Sequence, residues 1–462
     1  MNKKSAIHFD ISDQPLDRRV LYLCLGIGLL TVFIYMIFFN YIDGRSMCAW
    51  SYEVWDAFID GKPLSYPSVV WDNVRNSFHV GTSSPLGHIP YAIWNFPFWI
   101  ISVLFHVSDV THGVFMLWHK LFNLLLFIGI IYRSICIIRL FRKEETREYE
   151  VVILLFCSWE MIYTFASAQN ELLYYYPMIE GLYRYYTGRR TLFYIFMGWA
   201  VLCNPMMFLC YLPVIILEDK NIISIASKMS FPFIPVYLLR ILYYGGRLYL
   251  KYGLKKEDPI RWYGRTVLSA GFGEYSVSYV IITVVMLRLY FMKKRKDAFD
   301  NFKVILFSMT IMLTTVSFLG WDQSYRVFLW FPVFVIYVSA TSESQVYIQL
   351  IFLIELLRSV IVGTLDSTRL YDTSCVSGVL RRLLGKNLGN IGKGEFPGQL
   401  LYGSTRNLVL SAMIGIAIFV LYRVSKGGRD ECDIKFPMKI IMPVYSLIPL
   451  LFVAAFCYKL TR

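Results

Sequence analysis

The chain is a succession of helix-length apolar blocks, among them 20–39, 114–138, 304–320 and 439–457, separated by short charged clusters. A helix needs about 20 mainly apolar residues to cross bilayer hydrocarbon. A large water-soluble helical core would need polar faces that these blocks do not supply. Composition agrees, with 56% hydrophobic and only 17% charged residues and a mean hydropathy of +0.51. The expected fold is all-α, a polytopic transmembrane helical bundle of about 11–13 membrane segments.

The net charge of +14 does not imply a nucleic-acid partner. Lys and Arg fall mostly at the ends of apolar runs, where they meet membrane lipid headgroups and orient the spans. Of the nine cysteines, Cys24, Cys136, Cys157, Cys203, Cys210 and Cys457 lie within apolar runs. Cys48 and Cys375 are the pair expected in an outer compartment, read as unbridged thiols in preference to a disulfide. Residues 1–19 are polar, end in Arg18-Arg19 and read as a cytoplasmic tail without a cleavable signal.

Arg18-Arg19 place the N-terminus inside and residue 40 outside. An outer loop, 40–88, follows. The apolar piece 89–105, interrupted by Pro90 and Pro97, is expected to lie along or dip into the outer leaflet. Span 114–138 then returns to the Arg139–Lys143 cluster inside. Residues 149–167 exit to Gln169-Asn170-Glu171, and 172–186 return to Arg189-Arg190. The run 191–217 reads as two helices broken at Asn204-Pro205, because one crossing would invert its ends. Residues 229–245 exit, 246–265 form an outer basic segment, and a span of roughly 268–292 ends at Lys293–Lys296. Spans 304–320 and 325–340 complete a region running from 20 to 340. A C-terminal part, 341–462, adds spans near 346–362, 407–422 and 439–457, with an outer loop at 363–406. Tyr174, Tyr175 and Tyr176 are expected as interface anchors.

The first outer loop carries the sharpest pattern. Asp43 stands just beyond the first span. Trp50, Val54, Trp55, Phe58 and Ile59 then alternate with Ser51, Glu53, Asp56 and Asp60 until Gly61-Lys62-Pro63 stops the pattern. That is an amphipathic helix at the outer surface, with Asp43 either capping it or held as a functional carboxylate at the boundary. His106, His112 and His119 lack a compact ligand set, so no metal site is expected. No Walker or dinucleotide fingerprint supports a nucleotide sugar as donor.

Asp43, the aromatic amphipathic stretch, Gly61-Lys62-Pro63 with Tyr66-Pro67, and Ser84-Pro85-Leu86-Gly87 together resemble the GT-C superfamily of membrane glycosyltransferases. Tyr325, Trp330 and Pro332 resemble its later half, so the likeness covers roughly 20–340. It implies a multi-pass plasma-membrane enzyme whose active site faces outward. A sugar would pass from a polyprenyl-phosphate donor to a lipid-linked or glycan acceptor, with inversion. Asp43 matches the family's first-loop acid, and Glu171 stands where many members carry a second acid, there an Asp.

An attacking hydroxyl needs one ionised base, and a lipid phosphate leaves without a general acid but needs positive charge to hold it. Arg247, Lys251, Lys255, Lys256, Arg261 and Arg265 are candidates for that clamp, with Arg326 beyond the turn at Asp322. Headgroup association is the plainer reading of the same cations. His79 and His88 are accessory donors or ordinary loop residues. No cofactor is expected, although Asp43 with Glu171 could chelate Mg²⁺ or Mn²⁺. The rival readings are a polysaccharide polymerase or ligase using a lipid pyrophosphate, suggested by the Arg-bearing 363–406 loop, and a lipid-linked sugar flippase.

Overall fold

The computed structural model describes residues 18–38, 42–61, 89–107, 109–111, 113–142, 145–158, 161–162, 164, 171–204, 207–232, 234, 238, 267–270, 273–294, 297–315, 330–342, 346–366, 416, 419–420, 422–423 and 437–461. The first half contains α1 (Arg18–Phe38), α2 (Ile42–Ile59), α3 (Ile89–Leu104), α4 (Gly113–Phe141), α5 (Glu145–Phe156), α6 (Glu171–Tyr186), α7 (Arg190–Cys203), α8 (Phe208–Glu218) and α9 (Ile222–Ser230). Strands β1 (Val267–Ala270) and β2 (Gly273–Ser276) follow, then α10 (Val277–Phe291), α11 (Ala298–Thr315), α12 (Phe331–Thr341), α13 (Val346–Asp366) and α14 (Met438–Thr461).

Among the described residues the regular structure is helical, apart from one short antiparallel pair in register Val267 with Ser276 and Ala270 with Gly273. Two helices, Arg18–Ile37 and Gly113–Phe141, are long and apolar enough to cross a membrane, and several others are apolar but shorter.

α12 lies at the centre. All of its residues are buried, and it packs against α4, α5, α11 and α13. A helix apolar on every side suits this position. α4 is its long neighbour and has reversed polarity. His119, Lys120, Asn123 and Ser134 are buried, while Val114, Leu117, Leu121, Leu125 and Ile128 face outward.

Close helix approach is bought by glycine. A Cβ on Gly129 would sit 2.7 Å from the Tyr176 ring, and one on Gly28 would sit 2.9 Å from Cys157 Sγ. Buried tyrosines tie distant helices: Tyr445 donates to Leu154 O (2.8 Å) and Tyr35 to Pro449 O (3.2 Å).

Ion pairs gather at the C-terminal end of α4. Glu180 lies between Arg133 and Arg184, and Arg139 forks onto Glu148 at 2.6 Å for both bonds. Arg142 donates to Ala340 O at the end of α12 (3.2 Å). Glu218 receives Arg190, Lys294 and the Tyr185 hydroxyl. Lys220 closes the last turns of α8 and α10 at once, donating to Ile216 O (2.9 Å) and Leu289 O (2.6 Å). The clusters expected on one side of a membrane thus meet at one end of the bundle.

Several expected boundaries move. The 191–217 run keeps its expected break into two helices, with Asn204 extended between α7 and α8. The 268–292 segment starts as the β1–β2 pair and becomes helical only from Val277. Helix α10 then spans about 22 Å, from 15 residues. The expected 149–167 span breaks after Phe156, with helix again at Met161, Ile162 and Thr164, and α9 begins at Ile222 because Asn221 caps it, ahead of the expected 229. Tyr174 and Tyr175 are core residues rather than interface anchors, each under 5% exposed, while Tyr176 packs its ring on Gly129 of α4.

Candidate functional site

The chain leaves α1 at Phe38 and enters α2 at Ile42, so Asp43 stands in the first turn of α2. The expected amphipathic helix is present. It ends at Ile59, with Gly61 at φ +68° where a side chain would be strained. The helix begins one residue before Asp43 rather than beyond it. The Asp43 side chain lies outside the described residues.

α2 lies on α3 through its aromatics. Trp55 Nε1 donates to Ala92 O and Trp99 Nε1 to Asp56 Oδ1, both at 2.8 Å. α3 is fixed to the start of α4 by a reciprocal tryptophan pair. Trp94 donates to Trp118 O (2.8 Å) and Trp118 to Trp94 O (3.0 Å), with the rings stacked 4.7 Å apart.

Under this aromatic cover lies a polar cluster. Ser51 Oγ donates to Cys48 O (2.6 Å), and so it accepts from Asn95 Nδ2 (2.7 Å). The second hydrogen of that amide points at His119 Nδ1, 2.9 Å away. Nδ1 is then an acceptor, which puts the His119 proton on Nε2. The Tyr91 ring lies 4.4 Å from the His119 ring, and its hydroxyl donates to Asn123 Oδ1 at 2.5 Å. Ser51, Tyr91, Asn95, His119, Lys120 and Asn123 are all fully buried.

Lys120 joins this cluster to the end of α1, donating to Met36 O (2.9 Å) and Tyr35 O (3.3 Å). Carbonyls that end a helix carry partial negative charge, a natural seat for an ammonium. Nearby, Arg45 donates to Thr111 Oγ1 at 3.2 and 3.3 Å, and that hydroxyl donates to Asp109 (2.7 Å).

Glu171 opens α6, half-buried, where an acid suits the helix dipole. Its charge reaches Tyr91, so it borders the cluster. Cys48 is a free thiol, buried and donating to Val110 O at 3.4 Å, and burial pushes its pKa up. It is a poor nucleophile.

Of the residues singled out from sequence, the structure brings Asp43 and Glu171 to elements at one end of the bundle. Arg247, Lys251, Lys255, Lys256, Arg261, Arg265, Arg326, His79, His88 and Asp322 lie outside the described residues, as does Cys375. Asn95, Asn123, Lys120 and Ser51 were missed. The available signal was His119, Lys120 and Asn123 within an otherwise apolar helix, where polar side chains are costly unless they face one another. Among the described residues no group of three His, Cys, Asp or Glu is placed to hold a metal. No protein-family model, curated protein or solved structure matches the chain.

Proposed function

We propose that this chain is a multi-pass membrane glycosyltransferase of GT-C-like architecture. It moves a sugar from a polyprenyl-phosphate donor to a lipid-linked or glycan acceptor at the outer membrane face. The observation that supports this reading most is the polar cluster closed over by α2. An amphipathic helix follows the first long apolar helix at once and carries Asp43 in its first turn, and beneath it Ser51, Asn95, His119, Lys120 and Asn123 are buried together. The reversed polarity of α4, apolar outward and polar inward, supports a lipid surround.

In the reaction, the acceptor hydroxyl oxygen bonds to the anomeric carbon as its proton passes to the Asp43 carboxylate. The bond from that carbon to the phosphate oxygen breaks, and its electron pair leaves with the polyprenyl phosphate. One displacement inverts the centre, and the second carboxylate of a glycosidase is not needed. Arg247, Lys251, Arg261, Arg265 and Arg326 are proposed to hold the phosphate as its charge grows, Arg by its planar fork. Glu171 is proposed to orient the acceptor.

The test is transfer by purified protein supplied with defined polyprenyl-phosphate sugars and, separately, lipid-pyrophosphate sugars. Asp43→Asn is expected to abolish transfer, a loss of at least roughly a hundredfold, while the unfolding midpoint stays near wild type. Full activity of that variant removes Asp43 as the base. Turnover of the pyrophosphate donors alone favours the polymerase or ligase reading. A flippase draws on the break at Asn204 and on Glu355, 1% exposed with Ser158 at 3.5 Å. Movement of donor across vesicles without transfer selects it.

A further inference from the structure

At the end of the bundle away from α2, a short amphipathic helix is fastened in place with its apolar side uncovered. α9 is anchored before it begins. Asp219 accepts from Asn221 N (3.0 Å), Lys228 Nζ (2.7 Å) and Ser224 Oγ, while Asn221 caps the helix through Ile223 N and Ser224 N. Ile225 turns inward at 8% exposure, but Ile222, Ile223 and Phe231 remain 68%, 81% and 67% exposed. Outward faces of the adjoining helices are apolar too, with Ile195 on α7 and Leu287 and Phe291 on α10.

Cations surround this apolar edge. Arg190 and Lys294 share the Glu218 carboxylate, and Lys228 takes Asp219. Arg189 and Lys293 are exposed and make no ion pair with the described residues. Five cations thus face two carboxylates, and a net positive charge remains beside exposed isoleucine and phenylalanine. An acidic protein or nucleic acid would meet the charge but leave the apolar side chains in water. A bilayer surface meets both, with acyl chains under the apolar face and phosphates beside the cations.

We infer that α9 lies in the membrane interface and that Arg189, Arg190, Lys228, Lys293 and Lys294 form a binding site for anionic phospholipid headgroups. This rests on the membrane reading above but not on the reaction.

The test uses full-length protein in nanodiscs of mixed phosphatidylglycerol and phosphatidylcholine, with retained lipid measured by native mass spectrometry. Wild type is expected to retain phosphatidylglycerol in excess. The double variant Arg189→Gln, Lys293→Gln, which leaves the Glu218 and Asp219 pairs intact, should reduce that preference roughly thirtyfold. No excess in wild type, or an unchanged preference in the variant, overturns the proposal. As a second measurement, Phe231→Trp fluorescence should be quenched by brominated acyl chains, and unquenched emission would remove α9 from the interface. Loss of the protein from membranes on alkaline extraction would sink the membrane reading itself, whereas retention without lipid preference sinks only this site.

Discussion

The hydroxyl of Ser51 governs a proton two helices away. It donates to Cys48 O, which obliges the Asn95 amide to donate both to it and to His119 Nδ1, leaving the imidazole proton on Nε2. Asn95→Leu removes both bonds inside a fully buried cluster. The expected cost is about 1–3 kcal/mol, read as a lowered unfolding midpoint in detergent. Asp219 offers a pH test at the other end. Lys228, then Ser224 and the Asn221 backbone N–H, hold its carboxyl well below the usual range. A depressed pKa stabilises the fold above the unfolded-state value and loses that contribution as pH falls through the folded value. Asp219→Asn should therefore be less stable than wild type at pH 7. The gap should begin to close below about pH 4, where the unfolded carboxyl takes its proton. A gap that stays constant down to pH 2 would contradict the assignment.

Among the elements, α6 depends most on a single side chain. Glu180, 2% exposed, is the partner of both Arg133 from α4 and Arg184 one turn on, and Arg133 also lies over the Tyr183 ring at 4.7 Å. Glu180→Gln leaves two guanidiniums without their counter-charge, and removing one member of a buried pair costs about 3–5 kcal/mol. Thermal unfolding of the purified variant checks this, and a shift no larger than that of Arg139→Gln, an exposed partner of Glu148, would contradict it. The amphipathic helix after the first span was legible because its aromatic spacing and the Gly61 stop are local signals. The hairpin before α10 was not, since its residues are as apolar as a span and only strand pairing separates the two. Tyr174 and Tyr175 were misread for a related reason. A tyrosine near a helix end suits interface and core alike, and the packing of neighbouring helices decides.

For the whole molecule, the ion-paired end and the α2 end are separated along α4 by about 28 Å, from Lys120 to Arg139. That is close to the hydrocarbon thickness of a bilayer. If the two ends face opposite compartments as proposed, a cysteine introduced as Lys256→Cys will react with an impermeant maleimide added outside intact cells. Labelling only after permeabilisation would put the 246–265 segment inside and remove its cations from the phosphate clamp.

Legible along the chain were the dominance of helix, many of the helix limits, and an amphipathic helix next to Asp43 after the first apolar block. These features depend on local periodicity, capping and breakers, which act within a few residues. Only the tertiary structure decided which polar side chains meet. Asn95 and His119 are 24 residues apart and Lys120 and Met36 are 84 apart, joined by packing of α1, α3 and α4. Such pairings follow from which faces close on one another to satisfy groups that neither water nor lipid can reach. No periodicity along the chain encodes that choice.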